Sequence, residues 1–175
     1  MPKKRFRKLT DRQIICLLKY HRPKLLKDIK KLGIRVEYLD KGIDRWVYRI
    51  GKKLVLKLEE YDRSSFIQTP SEIEKFNRVH TEKKFKNLRK HIPKILYSDV
   101  KSGIIVVPFY PRSLKYEDNE HEYQLLADHI GQCFPDAAAD FHGGNFRYAE
   151  DGTMVCIDLG FSNARGKGYK KGTYE

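Results

Sequence analysis

The sequence predicts an α+β fold: two short basic helices, a five-stranded antiparallel sheet interrupted by one helix, and a short, mainly helical remainder. Three observations predict it. Apolar residues recur at helical spacing before Gly33, alternate with polar residues from Ile34 to Leu58, and return to helical spacing at Ile73, Phe76 and Val79.

At 175 residues the chain suits one domain, or one domain with an appendage, and has no room for a second full catalytic domain. Apolar residues make up 40% and aromatics 12%, which excludes wholesale disorder, and no apolar run reaches the length that spans a bilayer. The opening MPKKRFRK lacks the apolar core of a secretory signal. Three cysteines, Cys16, Cys133 and Cys156, are widely spaced in mostly apolar stretches, which predicts reduced core thiols and a cytoplasmic protein. The net charge of +13 is uneven: residues 1 to 31 hold 12 Lys or Arg against 2 Asp, so this segment carries +10 and the rest +3. Such a segment suits nucleic acid or an acidic protein surface as partner, or is a solvated face; no membrane contact is expected.

Thr10 and Gln13 form a capping-box pattern that opens a helix running to about His21. Pro23 fits the first turn of a second, with Leu25, Leu26, Ile29 and Leu32 as its apolar stripe and Gly33 as its stop. Ile34, Val36 and Tyr38, then Trp46, Tyr48 and Ile50, then Leu54, Leu56 and Leu58 are the alternating positions of three strands, the second turning into the third at Gly51 and Lys52. Thr69 and Pro70 open the inserted helix. Strands follow at about 94 to 97 and 104 to 110, then a polar connection, a helix from about 120 to 133, and a hairpin that turns at Asp151 and Gly152. The expected units are a basic helical extension over 1–33, a sheet unit over 34–110 and a smaller unit over 111–175.

One set of residues concentrates chemistry. Asp140, Asn145 in the Gly-rich stretch DFHGGN, and Asp158 in IDLG are placed so that a short hairpin returns the chain to where it left. If they converge, they supply hard oxygen ligands for magnesium and a carboxylate able to accept a proton.

DFHGGN and IDLG resemble the catalytic loop and the DFG element of the protein-kinase-like superfamily, and the thirteen-residue interval from Asn145 to Asp158 is similar to that between the metal-binding Asn and Asp of many protein kinases. The resemblance implies a kinase-like fold with ATP and Mg2+ or Mn2+ as cofactors. It makes Asp140 the base facing the substrate hydroxyl, and Asn145 and Asp158 the metal ligands. VLK at Val55 to Lys57 resembles the end of the VAIK motif, so Val55 covers the adenine and Lys57 contacts phosphates. Glu72 is the helix partner implied for Lys57, preferred to Glu74 because its i+4 neighbour is the inward Phe76; as a bland alternative, Glu72 closes a capping box with Thr69.

Aligning Val47 with the valine that follows the glycine-rich loop puts Asp40, Gly42 and Arg45 where three glycines are usual, so only Gly42 matches. Arg45 there is placed to attract phosphate. By position alone, Pro108, Phe109 and Tyr110 fall at the hinge that binds adenine, and Arg147 stands where an apolar adenine floor is usual. His142 stands two residues after the base, as in aminoglycoside phosphotransferases and some phage-encoded kinases, either supporting the loop or touching phosphate. Only 15 residues follow Gly160, so the helical lower lobe is expected to be strongly truncated.

The combined expectation is an atypical minimal kinase similar to phage-encoded serine/threonine kinase-like proteins, acting on a protein substrate or itself, in the host cytoplasm if viral. The alternatives are a small-molecule kinase of the aminoglycoside-phosphotransferase type, and a pseudokinase binding module that uses its basic N-terminus.

Overall fold

The computed structural model describes residues 9–41, 45–59, 68–114, 116–138 and 141–159. Helix α1 (Asp11–His21) opens with the expected capping box: Thr10 Oγ1 accepts the Gln13 N–H at 3.3 Å while Gln13 Oε1 accepts the Thr10 N–H at 2.9 Å. Arg22, at φ 45°, closes it in the left-handed conformation. Helix α2 spans Leu26–Lys31, so Pro23 lies ahead of it rather than in its first turn. Leu25 is still extended there, and half-exposed rather than part of the apolar stripe.

Strands β1 (Val36–Lys41), β2 (Arg45–Ile50) and β3 (Leu54–Glu59) form an antiparallel meander. The chain then passes through α3 (Gln68–Thr81) to β4 (Tyr97–Asp99) and β5 (Ile104–Pro108), giving the all-antiparallel order β1-β2-β3-β5-β4. The fourth strand begins at Tyr97, later than expected. Between it and α3, a 3-10 turn at Lys83–Leu88 buries Phe85 and Leu88 out of the Lys-rich stretch.

Period-two alternation divides the sheet into two faces. Tyr48, Ile50, Leu54, Leu56, Ile104 and Val106 pack on one face against Ile14 and Leu18 of α1 and Ile29 of α2. The two basic helices therefore cover the sheet, and Asp11 fastens them by accepting the backbone N–H groups of Lys52 and Lys53 at 2.8 and 3.1 Å. Gly51, at φ +63°, allows this approach, since a Cβ there would lie 2.3 Å from Asp11 Oδ1. Cys16 is exposed, against expectation: it lies two residues from both Ile14 and Leu18, hence on the far side of α1. Cys133 is partly buried and Cys156 fully buried.

The other face of the sheet carries α3 and the second part of the chain. Helix α4 (Tyr116–Cys133) is broken at Asn119 and regular from Glu120 onward, as expected, and α5 (Pro135–Ala138) is a single turn. A second, three-stranded sheet joins β6 (Arg112–Ser113), β7 (Phe146–Tyr148) and β8 (Met154–Cys156). Its last two strands are the expected hairpin, while β6 was expected only as a polar connection. Phe76, Val79, Ile105, Ile130, Phe146, Met154 and Leu159 close the core between the two parts. The fold class is thus the expected one, a five-stranded antiparallel sheet with one helix and a short helical second part. No helix among the described residues is long and apolar enough to cross a membrane.

Candidate active site

The register of β2 on β3 pairs Arg45 with Glu59, Val47 with Lys57 and Arg49 with Val55, which puts all six on the sheet face opposite α1 and α2. Glu59 sets the start of the adjoining helix, accepting the N–H groups of Gln68 and Thr69 at 3.1 and 2.9 Å. That cap leaves Thr69 inside α3, so no Thr69–Glu72 capping box forms. Glu72 instead turns inward and is fully buried, whereas Glu74 is exposed beside Arg78.

Lys57 reaches Glu72 Oε1 at 2.5 Å and the Ile157 carbonyl at 2.7 Å, and its ammonium lies 3.8 Å from Asp158. The Leu159 N–H also points at Glu72 Oε1, at 3.4 Å. One ammonium thereby ties β3, α3 and the segment after β8 together. Asn145 ends a 3-10 turn (Gly143–Asn145) and is buried; its carbonyl accepts the Ile157 N–H at 2.7 Å, one residue from Asp158. The hairpin thus brings the Asn145 and Asp158 segments side by side. Asp140 and Gly42 lie outside the described residues.

The largest departure concerns Arg45. Rather than facing outward toward phosphate, it is 5% exposed, and its guanidinium bridges Glu72 and Asp158, donating to Asp158 Oδ1 at 2.7 Å. Burial by itself would favour losing the guanidinium proton. The charges of Asp158 and Glu72 and their hydrogen bonds outweigh it and hold the pKa above its ordinary value. Arg45, Lys57, Glu72 and Asp158 form a charge-balanced quartet in which only Asp158, 36% exposed at its side chain, opens to solvent.

Lys75 is a site-bordering residue that motif matching misses. It is buried and joins Asp136 of α5 at 2.5 Å to the Leu159 carbonyl at 2.9 Å. Its signal lies in the spacing Glu72, Lys75, Phe76, Val79, one continuous i, i+3, i+4, i+7 helix face.

His142 supports the loop: its Nδ1 accepts the Gly144 N–H at 3.0 Å, and a Cβ on Gly144 would lie 2.6 Å from the ring. Arg147 steadies the same loop by donating to the Gly144 and Phe146 carbonyls at 2.9 and 2.8 Å. Burial lowers its pKa, and the charge of Asp40 opposes that. At the sheet's open end Val47 and Val55 are half-buried, and the Arg49 guanidinium lies 4.6 Å over the Phe109 ring. The Phe109 N–H is committed to the Lys53 carbonyl at 2.9 Å, while the Tyr110 N–H makes no hydrogen bond to a described residue.

Asn145 and Asp158 offer the hard oxygen donors that magnesium or manganese takes, in adjacent segments at a partly open edge. Their oxygen chemistry fits such an ion, and Arg45 occupies Asp158 Oδ1 at 2.7 Å. Among the described residues no three His, Cys, Asp or Glu side chains group as an alternative metal centre.

No protein-family model matches the chain, and no curated protein matches it. Among solved structures it is similar to ADP-bound aminoglycoside phosphotransferase APH(2'')-Ib at 20% identity, over 74% of this chain and 37% of that one, with a TM-score of 0.40. It is also similar to APH(2")-IIa in its ternary complex with streptomycin and ATP, at 20% identity over 67% and 38% of the two chains, again with a TM-score of 0.40. The chain spans under two fifths of the length of these two proteins.

Proposed function

We propose that the chain is an ATP- and metal-dependent phosphotransferase whose acceptor is a Ser or Thr hydroxyl on a protein, its own chain included. The observation that carries this reading is the buried Lys57–Glu72 pair at 2.5 Å, with the Lys57 ammonium 3.8 Å from Asp158. An ammonium fixed by a carboxylate from a neighbouring helix is a preorganised phosphate contact, held where no solvent reorganisation is needed. Val47 and Val55 supply an apolar surface for a base, and Tyr110 an amide for its edge. Asp140 accepts the hydroxyl proton in this reading. A divalent ion bound by Asn145 and Asp158 would neutralise phosphate charge.

Incubation with radiolabelled ATP and Mg2+ or Mn2+ tests it. Labelled protein, lost in Lys57→Met and Asp158→Ala, is the expected result. A labelled aminoglycoside or small alcohol, with no labelled protein, moves the acceptor to a small molecule. No turnover on either class overturns the phosphotransferase reading.

A second reading rests on the outward faces of α1 and α2, which favour nucleic acid as a partner. Arg12, Lys19, Arg22, Lys24, Lys27, Lys30 and Lys31 are all exposed on α1, α2 and the link between them, as is Tyr20, at 84%. Asp11 is turned onto the Lys52 and Lys53 amides, and among the described residues Asp28 pairs with Lys31, at 3.5 Å. Cations neutralise phosphates while an exposed ring stacks on a base. Binding of a fluorescent single-stranded oligonucleotide should weaken steeply with salt and fall in Lys19→Glu/Lys27→Glu; salt-insensitive or absent binding removes this reading.

A further inference from the structure

We infer that Arg45 is a built-in counter-ion for Asp158, which an incoming divalent metal has to displace, so that the resting site is closed by the protein's own cation. The inference rests on the phosphotransferase reading and adds to it the regulation of the same site.

Arg45 opens β2, opposite Glu59. Its backbone is therefore held in the sheet while its side chain passes beneath, reaching Glu72 27 residues away and Asp158 113 residues away. With Lys57 on the other oxygen of Glu72, the two cations and two carboxylates balance without any bound ion. A solvated surface arginine has no reason to adopt this position. Burying a guanidinium is costly unless its donors are satisfied, and here two carboxylates satisfy them.

Asp158 Oδ1, the oxygen that Arg45 holds at 2.7 Å, belongs to the one carboxylate of the quartet that reaches the open edge. A divalent cation and a guanidinium on the same carboxylate repel one another and divide its charge, so each weakens the other's hold on Asp158. Metal binding is therefore set against the Arg45–Asp158 contact, which occupies Oδ1. Glu72 retains the other arm of the guanidinium, so the freed donors swing out without leaving the site and meet phosphate oxygens, a geometry guanidinium groups bind well. Metal alone has to expel Arg45 with nothing to receive it. Metal with nucleotide gives the freed donors a new acceptor.

The test is the affinity of the full chain for Mn2+ alone, read from the loss of the free-ion electron paramagnetic resonance signal. The expected result is at least tenfold tighter binding in Arg45→Gln than in wild type, with binding lost in Asp158→Asn and a lower melting temperature for Arg45→Gln without metal. Arg45→Lys, which keeps the charge but cannot bridge both carboxylates, should also bind more tightly than wild type, and it serves if Arg45→Gln does not fold. Equal or weaker Mn2+ affinity in both Arg45 variants overturns the counter-ion role and leaves the phosphotransferase reading standing. If no form binds Mn2+ or Mg2+ with ADP, both fall together.

Discussion

Lys57 and Glu72, fifteen residues apart, meet at 2.5 Å inside the protein, and the second oxygen of Glu72 is held by Arg45. Removing a carboxylate from between two buried cations differs from removing one of the cations. Glu72→Ala leaves Lys57 and Arg45 to share the half-exposed Asp158 alone, one buried positive charge in excess, and should cost about 3 to 5 kcal/mol in urea unfolding. Lys57→Met leaves Glu72 paired with Arg45 and should cost distinctly less. Equal losses would mean that Arg45 does not share the charge of Glu72.

His142 and Gly144 form a second coupled pair. Gly144→Ala drives a methyl group into the imidazole and should displace the ring from its 3.0 Å cap on the loop. The expected cost is about 1 kcal/mol, the worth of a side-chain cap. In a His142→Ala background the same change should cost almost nothing, since the obstacle and the cap are both gone; a double-mutant cycle reads the difference. Additive losses would show that the ring does not brace the loop.

Thiol chemistry should separate the cysteines. Burial pushes the Cys156 pKa up. A disulfide reagent near pH 8 should therefore modify exposed Cys16 quickly and Cys156 only on unfolding. The sign of the stability effect follows: above the ordinary thiol value near 8.5, the unfolded chain releases a proton that folded Cys156 keeps, so stability falls as the pH rises. Cys156→Ala should flatten that alkaline decline. An unchanged slope would assign it to other groups.

The N-terminal helices should prove inseparable from the sheet. Deleting residues 1–33 uncovers Tyr48, Ile50, Leu54, Leu56, Ile104 and Val106, and the product should aggregate or bind a hydrophobic dye. Asp11→Ala, which removes only the two hydrogen bonds to the hairpin, should fold with a loss of about 1 to 3 kcal/mol. A well-folded, dye-silent deletion product would show that the helices are an appendage.

Local sequence determined a good deal of this protein. Alternation from Trp46 to Leu58 specified two strands and their faces, because the side-chain period of a strand is two whatever lies around it. The capping box at Thr10, the hairpin turn at Asp151 and the inward side of Glu72 were legible for the same reason: each depends on neighbours within a few residues. The span of α2, the start of β4 and the exposure of Cys16 were less legible, since packing chooses among similar local options.

Tertiary structure alone decided where Arg45 goes and what the basic helices do. By local pattern Arg45 is a cation in a loop beside a phosphate site. Its actual position follows from two carboxylates delivered by α3 and by the segment after β8, and an unpaired buried acid recruits the nearest cation that can reach it. Likewise the charge of residues 1 to 31 leaves open whether the helices extend from the domain or pack on it; Ile14, Leu18 and Ile29 are buried on the sheet, and the cations of α1 and α2 stay outside. Charge describes what a helix shows to water, and only the assembled core settles which surface the remaining side chains cover.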